Sequence, residues 1–465
     1  MKAIFNKIHD LMRAFLPSPF TLAIILTMVT FILAWCVYQP QNEAVTQKAL
    51  DILTFWQNGL WDPPLLVFAV QMMLMLVLGH TLALSYPVNR LIEKITQHAN
   101  GTTRAALLVL ISTCIVGFFN WGLGLIFGAV LARKVGEHAA NNFQDLNYPL
   151  IGAVGYSGLL IWHGGISGSS LAKVAEPGHL KDLVASPSSQ VYSQLPNNIP
   201  YDQTVFSAFN LTTNILLLTF LVIGIYFLSK WQPGSDKKPR VAKKAGSRSM
   251  VPIVGAEKLD HTRWTSGIMA SIILFMGFYL ALSSPNTLSF GFINPNYINF
   301  CLLGFSLLFH GTVSNFLKAI DDAIRGASGI LIQFPLYFGV MGLMKEAGII
   351  QVLAQFFVDH ANSATYPIYT FISAAIVNVF VPSGGGQWMV QGPIIIEASL
   401  KLGVPLERSI LALAYGDELT NMMQPFWALP LLGITGLQAR EILPYTLYMM
   451  FIAAVVFISA LYFFS

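Results

Sequence analysis

The chain predicts an all-α polytopic membrane protein, and three observations carry that prediction. Of its 465 residues 55% are apolar and only 10% are Asp, Glu, Lys or Arg, whereas soluble domains carry about 25% charged residues. Mean hydropathy is +0.62. Apolar runs of about 20 residues recur, each long enough to cross a hydrocarbon core as a helix. A soluble fold is excluded. The net charge of +4 comes from basic residues gathered between apolar runs rather than along a groove, so they read as topology signals and not as a nucleic-acid surface. Cys36, Cys114 and Cys301 all lie inside apolar runs and read as small hydrophobes, with no disulfide or metal framework.

Nine segments read as full spans: 15–38, 65–86, 148–172, 204–228, 264–283, 298–316, 327–344, 408–435 and 442–464. Residues 1–13 are basic and amphipathic, and the run after them lacks a small-residue cleavage site, so the first span is expected to be a mature helix. Segments 105–132 and 366–400 are too long for one span and too short for two. Each breaks at a polar or Gly-rich tip, Asn120-Trp121-Gly122-Leu123-Gly124 and Pro382-Ser383-Gly384-Gly385-Gly386-Gln387. Each therefore reads as a re-entrant helical hairpin.

With a cytoplasmic N-terminus, this layout puts 20 of the 26 Lys and Arg residues in cytoplasmic loops, as the positive-inside rule requires, and places the C-terminus in the periplasm. Nine of the twenty lie in 230–263, read as a basic cytoplasmic linker that includes Lys237, Lys238, Arg240, Lys243, Lys244 and Arg248. The halves resemble each other. Ile115-Val116-Gly117-Phe118-Phe119 before the first tip matches Ile376-Val377-Asn378-Val379-Phe380 before the second, and each hairpin is followed by a span with its own polar break. The expected organisation is a first inverted repeat over 1–229, the linker, a linking helix and outer loop over 264–297, and a second repeat over 298–465. Paired broken helices in inverted repeats recur in secondary transporters.

Helix breaks inside a bilayer free backbone groups that lipid cannot satisfy, so they persist only within protein or against a watery cavity. There, helix N-termini suit an anion, while freed carbonyls and helix C-termini suit a cation. Asp417 and Glu418 are adjacent acids deep in a span. Asp417 is nine residues beyond Arg408, about 13 Å along a helix at mid-bilayer depth. It reads as a cation ligand or proton carrier, with Thr420 and Asn421 adding oxygens, or else as a buried carboxyl capping a neighbouring break. His163, beside Gly164-Gly165, either bonds or titrates with a substrate carboxylate or bonds a backbone carbonyl. Asn120 and Ser383 complete a coordination shell at the tips, Gln387 bonds an oxyanion, and Trp121 and Trp388 either close over a short acyl chain or simply pack. Asn378 and Gln391 are weaker candidates. His80 and His310 read as packing residues, and Glu397 as structural.

The layout leaves no Arg or Lys deep in a span, which suits one carboxylate better than two or three. Enzyme-like strings fail: Gly165-Ile166-Ser167-Gly168-Ser169 lacks the final Gly and the strand-turn-helix context of a nucleophile elbow, and no phosphate loop or metal spacing appears. No enzyme activity and no cofactor are expected.

The chain resembles the bacterial short-chain fatty acid transporter family, within the ion-transporter superfamily, over essentially its whole length. The stretches that carry the resemblance are Val116-Gly-Phe-Phe-Asn-Trp-Gly-Leu-Gly-Leu-Ile126, Trp162-His-Gly-Gly-Ile-Ser-Gly-Ser169, Val381-Pro-Ser-Gly-Gly-Gly-Gln-Trp388 and Tyr415-Gly-Asp-Glu-Leu-Thr-Asn-Met-Met-Gln-Pro425. The resemblance implies inner-membrane uptake of a small monocarboxylate such as acetoacetate or butyrate, driven by a Na+ or H+ gradient. It also implies a homodimer with scaffold and moving transport regions that work by an elevator mechanism. Where superfamily members carry Ser-Asn-Thr tips, this chain has Asn120-Trp121-Gly122 and Ser383-Gly384-Gly385, which leaves the ion open. Expected substrate residues are Asn120, Trp121, His163, Ser383, Gly384, Gln387, Trp388 and Asn421. Expected coupling-ion residues are Asn120, Gly122, Ser157, Ser383, Asp417, Thr420 and Asn421. A dicarboxylate or amino-acid-like substrate, or a passive anion channel, is the alternative.

Overall fold

The computed structural model describes residues 17–40, 45–142, 145–183, 190–232, 234, 254–283 and 292–463. The basic N-terminal segment and most of the basic linker, Lys237 to Arg248 included, lie outside the described residues. Among the described residues the chain is helical, with no strand.

Helix starts follow local chemistry. The helix α1, Pro19–Val37, opens on a Ser-Pro pair whose Ser18 hydroxyl accepts the Thr21 N–H. After α2, Val45–Leu60, the helix α3, Pro63–Leu84, opens on Asp62-Pro63-Pro64, with the Asp62 carboxylate accepting the Leu65 N–H at 3.1 Å. Short polar acceptors satisfy otherwise orphaned amides, and proline fits the first turn where no N–H is needed. A short amphipathic helix, α4 (Tyr86–Thr96), leads to the first helical hairpin, α5 (Gly101–Phe119) and α6 (Trp121–Asn141). Its arms pack so closely that a Cβ on Gly124 would lie 2.6 Å from Gly117 Cα.

The first broken segment follows as α7 (Tyr148–Val154), one 3-10 turn (Ser157–Leu160), an irregular stretch through Gly168, and α8 (Ser169–Val174). Then come α9 (His179–Leu183), α10 (Gln190–Gln194), the long α11 (Ala208–Trp231), α12 (Arg263–Ser283), α13 (Pro295–His310), α14 (Val313–Ala323), α15 (Ser328–Glu346) and α16 (Ile349–Asp359). The second hairpin is α17 (Tyr366–Phe380) and α18 (Gly384–Leu402), tied by Tyr366 Oη donating to Ile395 O at 3.0 Å. The second broken segment is α19 (Leu406–Thr420), a 3-10 turn (Asn421–Met423) and α20 (Pro425–Thr435). The last helix is α21, Ala439–Phe463.

Among the described residues, seven stretches are long and apolar enough to cross a bilayer: Pro19–Val37, Val45–Leu84, Gly101–Phe119, Ala208–Trp231, Arg263–Ser283, Val313–Glu346 and Ala439–Phe463. The helix α12 leaves Trp264, Ile268, Ile272, Phe275, Phe278 and Leu282 exposed, an apolar stripe that only lipid or protein can cover. Some expected boundaries change. The span expected over 298–316 ends at His310, where Gly311 turns the chain at φ 72°. Expected spans 148–172 and 408–435 are each divided into short helices around their breaks. The helices α2, α4, α14 and α16 have no counterpart in the predicted spans, because their apolar residues form a stripe rather than a continuous run.

The hairpins and broken segments share one buried core. Gly416 of α19 would place a Cβ 2.2 Å from Phe371 O of α17, so those two helices touch backbone to backbone. Small residues permit this approach, and dispersion and interhelical hydrogen bonds hold it where no hydrophobic effect acts.

Candidate functional site: two hairpin tips on one broken segment

Both tips end their first arm in the same way. Asn120 is extended, at φ −153° and ψ 127°, and its Oδ1 accepts the Leu123 N–H at 3.0 Å. Ser383 is extended, at φ −147° and ψ 101°, and its Oγ accepts the Gly386 N–H at 3.2 Å. Each short polar side chain thus starts the returning helix.

Both tips abut the irregular stretch after the first 3-10 turn. The Trp121 N–H donates to Ser167 Oγ at 2.9 Å, and Phe118 O accepts the Ile166 N–H at 2.9 Å. From the second tip, Gly384 is so close that a Cβ there would lie 2.8 Å from His163 Cε1 and 3.1 Å from Trp162 Cη2. Any larger residue would push the tip off the ring. Aromatic rings complete the junction: Trp162 stacks on His163 with centroids 4.4 Å apart, and Trp121 lies 6.1 Å from Trp162 and 5.2 Å from Trp427.

His163 is the hub. Its Nδ1 lies 2.9 Å from Asp417 Oδ1, and its backbone N–H donates to Glu418 Oε2 at 2.8 Å. Ser170 meets Nε2 through both its N–H, at 3.3 Å, and its hydroxyl, at 3.1 Å. His163, Ser170 and Glu418 are 0% exposed and Asp417 is 1% exposed, so this polar set is sealed from solvent. One oxygen of each carboxylate, Asp417 Oδ2 and Glu418 Oε1, is buried without a hydrogen-bond partner. Such groups are costly in a low-dielectric interior unless a cation or proton meets them.

The second break lies alongside. Asn378 Nδ2 faces three oxygens, Asp417 O at 2.6 Å, Thr420 Oγ1 at 3.0 Å and Asn421 Oδ1 at 3.0 Å. An amide has only two hydrogens for these three acceptors. Gln424 Nε2 donates to Asn378 O, and Tyr156 Oη donates to Asn421 O at 2.9 Å, which ties the two breaks together. Asn378 Oδ1 and Gln424 Oε1 are buried without partners. An oxygen-rich helix break of this kind suits a hard cation.

Thus Asn120, Trp121, His163, Ser383, Gly384 and Asp417 meet at one junction, with Thr420 and Asn421 on its flank. Other predicted residues point elsewhere. Gly122 faces α3, where an added Cβ would lie 2.6 Å from Met75 Sδ. Ser157 donates to Val154 O at 2.7 Å and lies 3.4 Å from Cys114 Sγ. Gln387 donates across the hairpin to Ala374 O at 2.9 Å and along its own arm to Gln391 Oε1 at 2.8 Å, although its Oε1 is buried and unpartnered. Trp388 is fully buried and donates to His179 Nε2 at 3.0 Å. Glu397 pairs at the surface with Lys401. His310 bonds Thr81 O, and His80 lies 3.1 Å from Arg133 Nη1, a polar contact as well as a packing one.

Sequence reasoning missed Ser170 and Asn210. Asn210 donates to Gly164 O at 2.7 Å and accepts from Tyr415 Oη at 2.7 Å, so it props the irregular stretch against α19. Its signal was a pair of amides one turn apart, Asn210 and Asn214, at the head of an apolar run. Also unforeseen is an open cavity of about 650 Å³ beside the second tip, whose lining includes Thr54, Asn58, Asp62, Lys345, Gly386 and Met389.

A sequence model of the short chain fatty acid transporter family matches residues 1–464. The chain belongs to that family. It is 34% identical over 452 residues to an Escherichia coli protein named "Putative short-chain fatty acid transporter", covering 96% of each chain. It is 33% identical over 460 residues to the Haemophilus influenzae protein of the same name, covering 97% of this chain and 96% of that one. Among solved structures, the Alcanivorax borkumensis YdaH transporter aligns with TM-score 0.45 at 14% identity, over 95% of this chain and 98% of its own. The Neisseria gonorrhoeae MtrF antimetabolite efflux pump aligns with TM-score 0.38 at 14% identity, over 96% and 95%. This member of the family is a multi-pass membrane transporter of a small monocarboxylate, and not an enzyme.

Proposed function

We propose that this transporter is a secondary-active, cation-coupled symporter that imports short-chain fatty acids such as acetoacetate or butyrate across the inner membrane. The observation that carries this reading is the convergence of both hairpin tips on His163 and Asp417. In this scheme His163, Gly384 and the tip N–H groups receive the carboxylate, and Trp121 covers the acyl chain. Asp417, Thr420 and Asn421 serve the cation, with Asn378 completing that set. Asn120 and Ser383 act by fixing the helix starts that face the substrate.

The hairpins, re-entrant from opposite faces, and the two broken segments form the moving region of a homodimer. The long apolar helices form the scaffold. The sealing of the junction supports alternating access, because a site closed on all sides must be exposed by motion. The cavity beside the second tip is its approach route. The cytoplasmic N-terminus, periplasmic C-terminus and the repeats over 1–229 and 298–465 belong to the same reading.

Purified protein in liposomes tests it. Labelled acetoacetate accumulates above its outside concentration under an imposed Na+ or H+ gradient, and equal uptake with and without either gradient refutes symport.

A further inference from the structure

Trp162 differs from the other indoles around the two tips. It is 4% exposed, and among the described residues its Nε1 is buried without a hydrogen-bond partner. A buried indole N–H ordinarily finds an acceptor, as Trp388 does in His179 Nε2. An indole can only donate, so whatever satisfies Trp162 must bring a lone pair. Trp56 Nε1 is unpartnered too, but that ring packs between Phe31 of α1 and Gly339 of α15.

The surroundings of Trp162 are rings and oxygens engaged elsewhere. One face stacks on the His163 imidazole, with centroids 4.4 Å apart and planes 21° from parallel, and the Cη2 corner meets Gly384 of the second tip. Toward the first tip lies Trp121, 6.1 Å away and tilted by 58°, whose ring face is only a weak π acceptor. Trp427 and Phe68 extend that aromatic wall from Trp121, at 5.2 and 6.1 Å. In the irregular stretch, Gly164 O accepts from Asn210 Nδ2, Ile166 O from Tyr201 Oη, and Ser167 Oγ from the Trp121 N–H. A donor sealed among rings at a binding junction is matched by an acceptor that arrives with the ligand.

We propose that the Trp162 Nε1–H is a substrate contact that selects short acids with a second oxygen on the chain, an oxo or hydroxyl group at C3, over plain alkyl acids. This deepens the proposed function and rests on its placing of the carboxylate at His163 and Gly384. The stack sets where the second oxygen falls. Trp162 is one ring layer, 4.4 Å, from the imidazole that receives the carboxylate. Two carbon–carbon bonds of about 1.5 Å and a C=O of about 1.2 Å carry an oxygen on C3 across such a layer, whereas an oxygen on C2 stays beside the carboxylate.

The preference follows from the sealing. In the closed site a plain alkyl chain leaves the indole N–H with neither protein nor water as partner, and an oxygen on C3 removes that cost. A site built to hydrogen-bond a substrate group rejects the analogue that lacks it far better than an apolar pocket rejects a chain one methylene longer. Trp162 is thus a specificity-determining residue, and Trp121 supplies the apolar contact that both kinds of acid share.

Competition against uptake of labelled acetoacetate into proteoliposomes, with protein-free vesicles subtracted, tests the assignment. In the wild type, unlabelled acetoacetate and 3-hydroxybutyrate compete at concentrations at least about tenfold below butyrate, and 2-oxobutyrate competes no better than butyrate. Trp162→Phe keeps a ring against His163 and removes the N–H, so the ratio of half-inhibitory concentrations for butyrate and acetoacetate contracts toward one. A merely structural disturbance weakens both acids alike and keeps the wild-type ratio. That result, or equal competition by butyrate and acetoacetate in the wild type, overturns the inference and leaves the transport of short acids standing. Competition by 2-oxobutyrate as strong as by acetoacetate overturns the assignment to C3. Absence of uptake above protein-free vesicles removes the proposed function along with the inference. Should Trp162→Phe fail to fold, the wild-type series still decides.

Discussion

The two hairpin-and-break pairs use the same backbone device with different chemistry. In the first pair, Gly117 faces Gly158, and a Cβ on Gly117 would lie 2.7 Å from both Gly158 Cα and Gly158 O. Two backbones touch there with nothing between. In the second pair, the matching position is Asn378, whose amide reaches Asp417 O, Thr420 Oγ1 and Asn421 Oδ1. The first contact is dry and tight; the second is polar and incompletely matched. Close packing gives rigidity. Unmatched buried oxygens give a place for a cation to act. On the proposed reading, one architecture serves as clamp in one half and as ion-responsive element in the other.

The sharpest way to break this comparison is to make the first pair like the second. Gly117→Asn drives a side chain into Gly158, and a collision with backbone costs more than about 3 kcal/mol. Folded protein recovered by size-exclusion chromatography should fall to near zero, and a monodisperse, transport-competent variant would show that the contact is not tight. Next in size is Asp417→Asn. An Asn side chain keeps a hydrogen-bonding group beside His163 Nδ1, so the fold persists while the charge is lost. Gradient-driven accumulation should drop at least about tenfold with unchanged expression, since one unit of pKa or 1.4 kcal/mol already corresponds to tenfold. Wild-type accumulation in that variant would remove Asp417 from coupling.

Asn378→Gly tests the converse, making the second pair like the first. Two of the three oxygens lose their donor, at a cost of about 1–3 kcal/mol in stability. Melting temperature should drop by several degrees, and the gradient needed for half-maximal uptake should rise. A variant with unchanged melting and coupling would make the Asn378 contacts incidental.

The smallest effect is expected at His179, which lies outside the candidate membrane spans. Burial first, and then Lys173, hold His179 below the usual histidine range, so its neutral ring accepts from Trp388 Nε1. A lowered folded-state value means that this strap is fully present above the ordinary histidine pKa of about 6.5 and is lost as pH falls through the lowered value. Tryptophan fluorescence should change modestly over that acid window in wild type and not in His179→Phe. An identical change in both would exclude the strap as its source.

Much of this was legible from residues alone. A break inside an apolar run announces itself, because Asn120-Trp121-Gly122 and Ser383-Gly384-Gly385 stop helices where lipid tolerates no loose backbone. Asp417 and His163 stood out because charge at mid-span needs a partner, and they prove to be partners of each other. Ser170 and Asn210 were not legible, since a serine or asparagine becomes informative only when its neighbour across the fold is known. Trp388 and Gln387 sit at suggestive positions one turn into α18, but helical rotation turns them to His179 and Ala374. The helices α2, α4, α14 and α16 escaped because a search for continuous apolar runs passes over a one-sided stripe.

The central claim is that substrate binds where the two tips meet the irregular stretch around His163. A cryo-electron microscopy structure with bound butyrate tests it most directly. The account predicts ligand density between His163, Gly384 and Trp121, with the carboxylate within hydrogen-bonding distance of a tip N–H or the imidazole. Density confined to the Lys345 cavity, or to any surface away from both tips, would contradict it.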